Sequence, residues 1–113
     1  MKAFFDRLCS ASLWTLLTLT TSLSQAQPAT IAMRDAKVDH VQLHYLTAGQ
    51  GPAVILLHGY TQTSRMWRPI IPLLAQKFRV IAPDLPGIGD SSIPDDNKID
   101  MITAANQIHD LVR

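Results

Sequence analysis

His58, Asp84 and Ser91 supply the three residue types that combine in hydrolytic triads, where a carboxylate-oriented histidine activates a hydroxyl nucleophile. The surroundings argue against that chemistry here. Ser91 lies in Gly87-Ile88-Gly89-Asp90-Ser91, a flexible Gly-x-Gly loop rather than a strained strand-to-helix elbow that would expose and activate a serine. The same two glycines suggest a dinucleotide loop, but Ser92 stands where a third glycine belongs and no acidic residue follows at the ribose-binding distance. His40 and His44 could face one side of a strand, yet they lack a third ligand or thiolate for zinc. No metal and no cofactor is expected.

These residues sit in loops whose flanking elements are legible. Thr30–Lys37 reads as a short first strand, followed by a turn around Val38-Asp39-His40. Val41–Leu46 alternates with the period of a half-buried strand and stops at the turn signal Ala48-Gly49-Gln50-Gly51-Pro52. Ala53–Leu57 is a continuous apolar run, the pattern of a strand buried on both faces. Met66, Trp67, Ile70, Ile71, Leu74 and Phe78 recur at helical steps and predict an amphipathic helix over Met66–Gln76. Pro69 fits such a helix only in its first turn, and Pro72 implies an irregular start or a beginning nearer Ile70. Arg79–Ala82 is another buried strand, running into the loop Pro83–Ser91. Met101–Val112 places Met101, Ile102, Ala105, Ile108 and Val112 on one helical face, with Asp100 as N-cap. Strands followed by helix, strand, helix open an α/β fold with parallel strands and crossover helices.

The N-terminal segment reads differently. Lys2 and Arg7 precede an apolar stretch, Leu8 to Leu23, diluted by serine and threonine, and Ser24-Gln25-Ala26 offers small residues at a cleavage point. That is the pattern of a secretory signal, residues 1–26, with cleavage after Ala26 and export to the periplasm or medium. Seven hydroxyl residues in the apolar stretch argue against a stable membrane anchor. Cys9, the only cysteine, falls before the cut, so a processed chain has no disulfide or thiolate chemistry. Ten Lys and Arg against nine Asp give a formal charge of +1, too balanced for a nucleic-acid or anionic-membrane partner. The remaining residues, 27–113, form at most one small domain.

The motifs in their order carry a resemblance. Leu56-Leu57-His58-Gly59, then Trp67 before a helix, then Val80-Ile81-Ala82-Pro83-Asp84-Leu85-Pro86-Gly87-Ile88-Gly89-Asp90-Ser91 resemble the N-terminal part of an α/β-hydrolase. The match is nearest the epoxide hydrolase and haloalkane or haloacetate dehalogenase branch and covers Val41 to Val112. The resemblance implies antiparallel first strands, then parallel strands with crossover helices. It implies that the backbone N–H of Tyr60 is one of two oxyanion-hole donors, with Gly59 leaving room for the approach. His58 is then a structural residue of the loop rather than the catalytic base. Asp84, Gly87, Gly89 and Ser91 fix the second loop, Asp84 by binding nearby backbone N–H groups. Trp67 either lines the substrate pocket or belongs to the core.

Two departures stand out. The branch often has proline where Thr61 stands. The nucleophile elbow, Gly-x-Ser-x-Gly or its Asp version, occurs nowhere in the 113 residues, and the family's acid and late histidine follow that elbow. The expectation is therefore an N-terminal fragment of an exported hydrolase whose complete form cleaves an ester, epoxide or carbon–halogen bond in a small-molecule substrate. The alternative is a catalytically inert remnant. If the topology follows the family, the nucleophile strand belongs beside Ala53–Leu57, so that edge is left open to aggregation.

Overall fold

The structure, a computed structural model, describes residues 27–113; the segment read as a secretory signal lies outside the described residues. Strand β1 (Ala32–Val38) turns at Asp39-His40 into β2 (Val41–Ala48), pairing antiparallel from Ala32↔Thr47 to Val38↔Val41. Next come β3 (Ala53–Ile55), a 3-10 turn (Ser64–Trp67), helix α1 (Ile71–Leu74), β4 (Arg79–Pro83) and helix α2 (Met101–Val112). The strand order is β1-β2-β4-β3, with β4 antiparallel to β2 and parallel to β3. This is the expected α/β architecture, a mixed sheet with its crossover between β3 and β4.

Helices cover both faces of the sheet. Leu46, Ala48, Val80 and Ala82 meet Ile71 and Ala75 on one face, with Trp67, Leu74 and Phe78 packed around them. Val38, Val41 and Leu43 meet Ile108 on the other, with Leu85 and Leu111 beside them. The alternation in β2 is what allows this: Leu46 and Ala48 point to one face, Val41 and Leu43 to the opposite one.

Three expectations need correction. The helix expected over Met66–Gln76 takes the form that Pro72 implied, an irregular start and a beginning next to Ile70, but it is far shorter: a 3-10 turn, three turn residues and the four-residue α1. Proline is the cause. Neither Pro69 nor Pro72 has an N–H to donate, so the chain bonds 3-10 fashion through Arg68 N–H to Arg65 O and Ile70 N–H to Trp67 O, and α1 begins with Pro72 in its first turn. Second, β3 is not buried on both faces: Ala53 and Ile55 are exposed, and Leu57 just beyond them is 52% exposed. Among the described residues, β4 pairs with one side of β3 and no strand pairs with the other. Third, α2 has the expected bounds and cap but buries Ala104, Gln107 and Ile108, leaving Met101, Ile102 and Ala105 exposed. The helix is rotated from the predicted face because only its middle and end reach Val38, Val41 and Leu43.

Candidate active site

Because β3 and β4 are parallel, their C-terminal ends open on the same side of the sheet, the usual place for a ligand in such folds. His58 and Gly59 leave β3 there, and Asp84 leaves β4. A hydrogen bond joins the two loops: Leu85 N–H donates to His58 Nε2 at 3.0 Å. A backbone N–H can only donate, so Nε2 is the acceptor and Nδ1 carries the ring hydrogen, which it gives to Gly59 O at 2.9 Å. Both imidazole nitrogens are thus occupied, and the ring is buried. His58 has no free lone pair with which to accept a proton from a substrate.

Gly59 O also accepts from Gln62 N–H at 3.2 Å, and Gln62 Oε1 accepts from Gly59 N–H at 3.2 Å. This closes a tight turn over Gly59–Gln62. The Tyr60 side chain projects outward, 91% exposed, and its backbone N–H donates to no acceptor among the described residues. Thr61, inside the turn, has φ of 63°, a left-handed conformation that disfavours a β-branched residue and that a proline ring cannot adopt.

Asp84 organises the second loop. Its carboxylate, 1% exposed, accepts from Ser64 N–H at 2.6 Å and Asp90 N–H at 2.9 Å. One buried group therefore ties the start of the 3-10 turn to the end of the β4 loop. Burial opposes its ionisation, but the two donated N–H groups outweigh that and hold the Asp84 carboxyl below its ordinary pKa. Gly89 completes the arrangement: its φ is +60°, and a Cβ there would fall on Asp84 Oδ2. Gly87 also has positive φ, 75°.

The loop is pinned to β2 by its serines. Ser91 Oγ donates to Asp84 O at 2.7 Å and accepts from His44 N–H at 2.9 Å. Ser92 Oγ accepts from Gln42 N–H at 2.9 Å. These hydroxyls take the place of backbone acceptors where β4 has ended, so β2 keeps its donors satisfied. Asp90 adds an ion pair outside, to Arg65 Nη2 at 2.8 Å, with His44 Nε2 3.9 Å away, and His44 Nδ1 meets Asp35 Oδ1 at 2.9 Å. Ser91 and His58 share no hydrogen bond. Trp67 is half-buried against the α1 side of the core, with its indole N–H buried and unpartnered. Among the described residues, no group of three His, Cys or Asp side chains is placed to hold a metal ion, and no helix is long and apolar enough to cross a membrane.

Sequence reasoning found the loop residues but missed Ser64 and Arg65, gave Asp90 no role of its own, and weighed His44 only as a zinc ligand. Asp90 beside Gly89 was the only local signal. The contribution of Ser64 is a backbone N–H that its residue type does not announce.

The alpha/beta hydrolase fold family model matches residues 52–113, more than half of the chain and both loops. The chain belongs to the alpha/beta hydrolase fold family. Within the family it is 44% identical over 82 residues to a soluble epoxide hydrolase from a Corynebacterium species, covering 73% of this chain and 28% of that protein. It is 44% identical over 57 residues to a fluoroacetate dehalogenase from a Burkholderia species, covering 50% of this chain and 19% of that one. Among solved structures, the epoxide hydrolase CorEH without ligand superposes with a TM-score of 0.69 at 43% identity, over 74% of this chain and 29% of that chain. The hydrolase fold segment described here therefore spans under a third of these relatives' length.

Proposed function

We propose that these residues build the oxyanion side of the active site of a hydrolase that, in the whole protein, opens an epoxide or cleaves a carbon–halogen or ester bond in a small molecule. The observation that carries this is the Tyr60 N–H, without an internal acceptor at the end of β3, on a turn anchored by the His58–Leu85 hydrogen bond. In this fold one oxyanion donor comes from the loop after this strand and the other from the residue following the nucleophile. The first is in the chain. The Gly-x-Ser-x-Gly or Gly-x-Asp-x-Gly elbow that would supply the second is not in these 113 residues.

The chemistry assigned to the chain's own residues is limited. Tyr60 N–H donates to an oxygen that gains negative charge as a covalent ester or acyl intermediate is attacked by water. His58 and Asp84 hold the turn so that this donor needs no rearrangement during the reaction, the condition under which such a donor is most effective. Identity to both epoxide hydrolase and fluoroacetate dehalogenase relatives supports the epoxide and carbon–halogen readings ahead of the ester one. The basic start, apolar stretch and small residues ending at Ala26 support export with cleavage there.

The test is turnover of an epoxide, a haloacetate and a simple ester, by the 113-residue chain and by the protein that continues from it through an elbow. Activity only in the longer protein, reduced when the elbow nucleophile is replaced, is the predicted result. Turnover by the 113 residues alone would contradict the assignment. A secreted product starting at Gln27 on N-terminal sequencing supports export; retention of Met1 in the mature product contradicts it.

A further inference from the structure

Between β3 and β4 the chain is apolar on two sides. Trp67, Ile71, Leu74 and Ala75 pack inward on the sheet, whereas Met66, Ile70 and Leu73, at four- and three-residue steps, form an outer stripe, with Leu73 67% exposed. A helical segment that is apolar all round calls for cover on its outer side as well. Met33 of β1, also exposed, extends the stripe, since Arg68 Nη2 donates to its Sδ at 3.5 Å.

Charge indicates the kind of cover. From His40 to Pro83 there is no acidic residue, and Arg65, Arg68 and Lys77 flank the stripe in the chain. Arg65 is engaged by Asp90, but Arg68 and Lys77, both exposed, have no ion-pair partner among the described residues. Asp35, which shares the face of β1 with Met33, is held by His44 at 2.9 Å. The opposite side of the sheet is the reverse. Met101 and Ile102 are exposed there on α2, but residues 84–113 carry six aspartates against Lys98 and Arg113. The formal charge of +1 for the whole chain conceals this separation.

We infer that the outer stripe of the β3–β4 connection docks on an anionic lipid surface, with Met33, Met66, Ile70 and Leu73 entering the headgroup boundary and Arg68 and Lys77 pairing with lipid phosphates. An interfacial segment of this kind combines an apolar side to bury with cations beside it, and each cation near such a surface strengthens binding about 5-fold. The stripe follows a convex helical surface rather than the wall of a groove, which suits a lipid boundary better than an acidic peptide. Met101 and Ile102 are as apolar, but Asp95, Asp96 and Asp100 precede them, and the same surface repels that side. The inference is independent of the hydrolytic reading, because none of the docking residues belongs to the two site loops.

The test is nitroxide labelling of the full chain at Leu73→Cys and, as control, at Ile102→Cys, each with Cys9→Ser, read by oxygen and nickel-complex accessibility. The vesicles are phosphatidylcholine alone or equimolar phosphatidylcholine and phosphatidylglycerol. The Leu73→Cys label should pass from water to about 5–10 Å into the boundary, with phosphatidylglycerol only, while the Ile102→Cys label stays in water. Both variants carry the apolar stretch Leu8 to Leu23, so that stretch cannot produce the difference. Arg68→Gln and Lys77→Gln should each weaken partition of the Leu73→Cys label about 5-fold. Ile55→Lys, on the open sheet edge, should leave it unchanged. Equal entry of both labels, equal entry into phosphatidylcholine alone, or no entry overturns the inference. So does a Leu73→Cys label already immobilised without vesicles in the protein that continues through an elbow, since another part of that protein then covers the stripe.

Discussion

Replacing Asp84 by asparagine tests the tie between the two site loops while changing little in volume. The carboxylate accepts two backbone N–H groups, from Ser64 and Asp90, and is 1% exposed. Asparagine keeps one oxygen and presents an NH₂ to the other donor, so one buried N–H loses its partner and the surviving bond loses its charge. One orphaned donor costs about 1–3 kcal/mol, and a charged hydrogen bond is roughly twice as strong as a neutral one, so we expect a loss of about 2–3 kcal/mol. For a domain of this size, with total stability of about 4–13 kcal/mol, that is a large fraction. With a urea m-value of about 1 kcal/mol/M, the midpoint should fall by about 2–3 M. The assay is urea unfolding followed by far-UV circular dichroism at low protein concentration. Acid adds an internal check. Because the folded-state pKa of Asp84 lies below the ordinary carboxylate value of 3.8, its contribution is fully present above that value and is lost as pH falls through the lower folded-state pKa. Asp84→Asn should lack this component of the acid dependence. A variant within 0.5 kcal/mol of the parent, by the ~1 kcal/mol scale of such bonds, or one with unchanged acid dependence, would refute the reasoning.

Three further outcomes follow from the same geometry. Gly89→Ala forces a side chain into φ of +60° and onto the Asp84 carboxylate, and should cost at least about 1–2 kcal/mol in the same unfolding assay. His58→Phe removes the acceptor of Leu85 N–H and should cost about 1–3 kcal/mol, with faster amide exchange at Leu85. The exposed edge at Ala53–Ile55, continued by exposed Leu57, should make the isolated chain associate as concentration rises; Ile55→Lys should suppress this, as read by sedimentation velocity.

What was legible in the sequence was whatever depends on neighbours in the chain. The alternation of Val41–Leu46 and the turn residues from Ala48 marked β2, which runs on to Ala48, and Asp100 before an apolar period marked α2 with its cap. Pro69 and Pro72 marked the trouble in the first helix, but the outcome depended on which carbonyls lost their donors. The rotation of α2 was not legible, since Met101 and Ile102 are more apolar than the Ala104 and Gln107 buried in their stead, and only the position of Val38, Val41 and Leu43 decides between them. Within the site, Gly59, Asp84, Gly87, Gly89 and Ser91 stood out through the two motifs that carry the family resemblance. Their partners did not: Ser64 N–H lies 20 residues from Asp84 and Leu85 N–H 27 residues from His58, and backbone groups have no signature in residue type.

The most direct test of the central claim removes the proposed donor alone. In the protein that continues through the nucleophile elbow, Tyr60 is replaced by its α-hydroxy acid, so that a backbone ester oxygen stands where the N–H was while the exposed ring is kept; Tyr60→Ala, which keeps the N–H, serves as control. Loss of one oxyanion donor predicts a fall in kcat of about 10²–10³, little change in KM, and near-parent activity for Tyr60→Ala. A backbone ester variant that keeps kcat within about 3-fold of the parent, where a working donor is worth about 100-fold or more, would contradict the account.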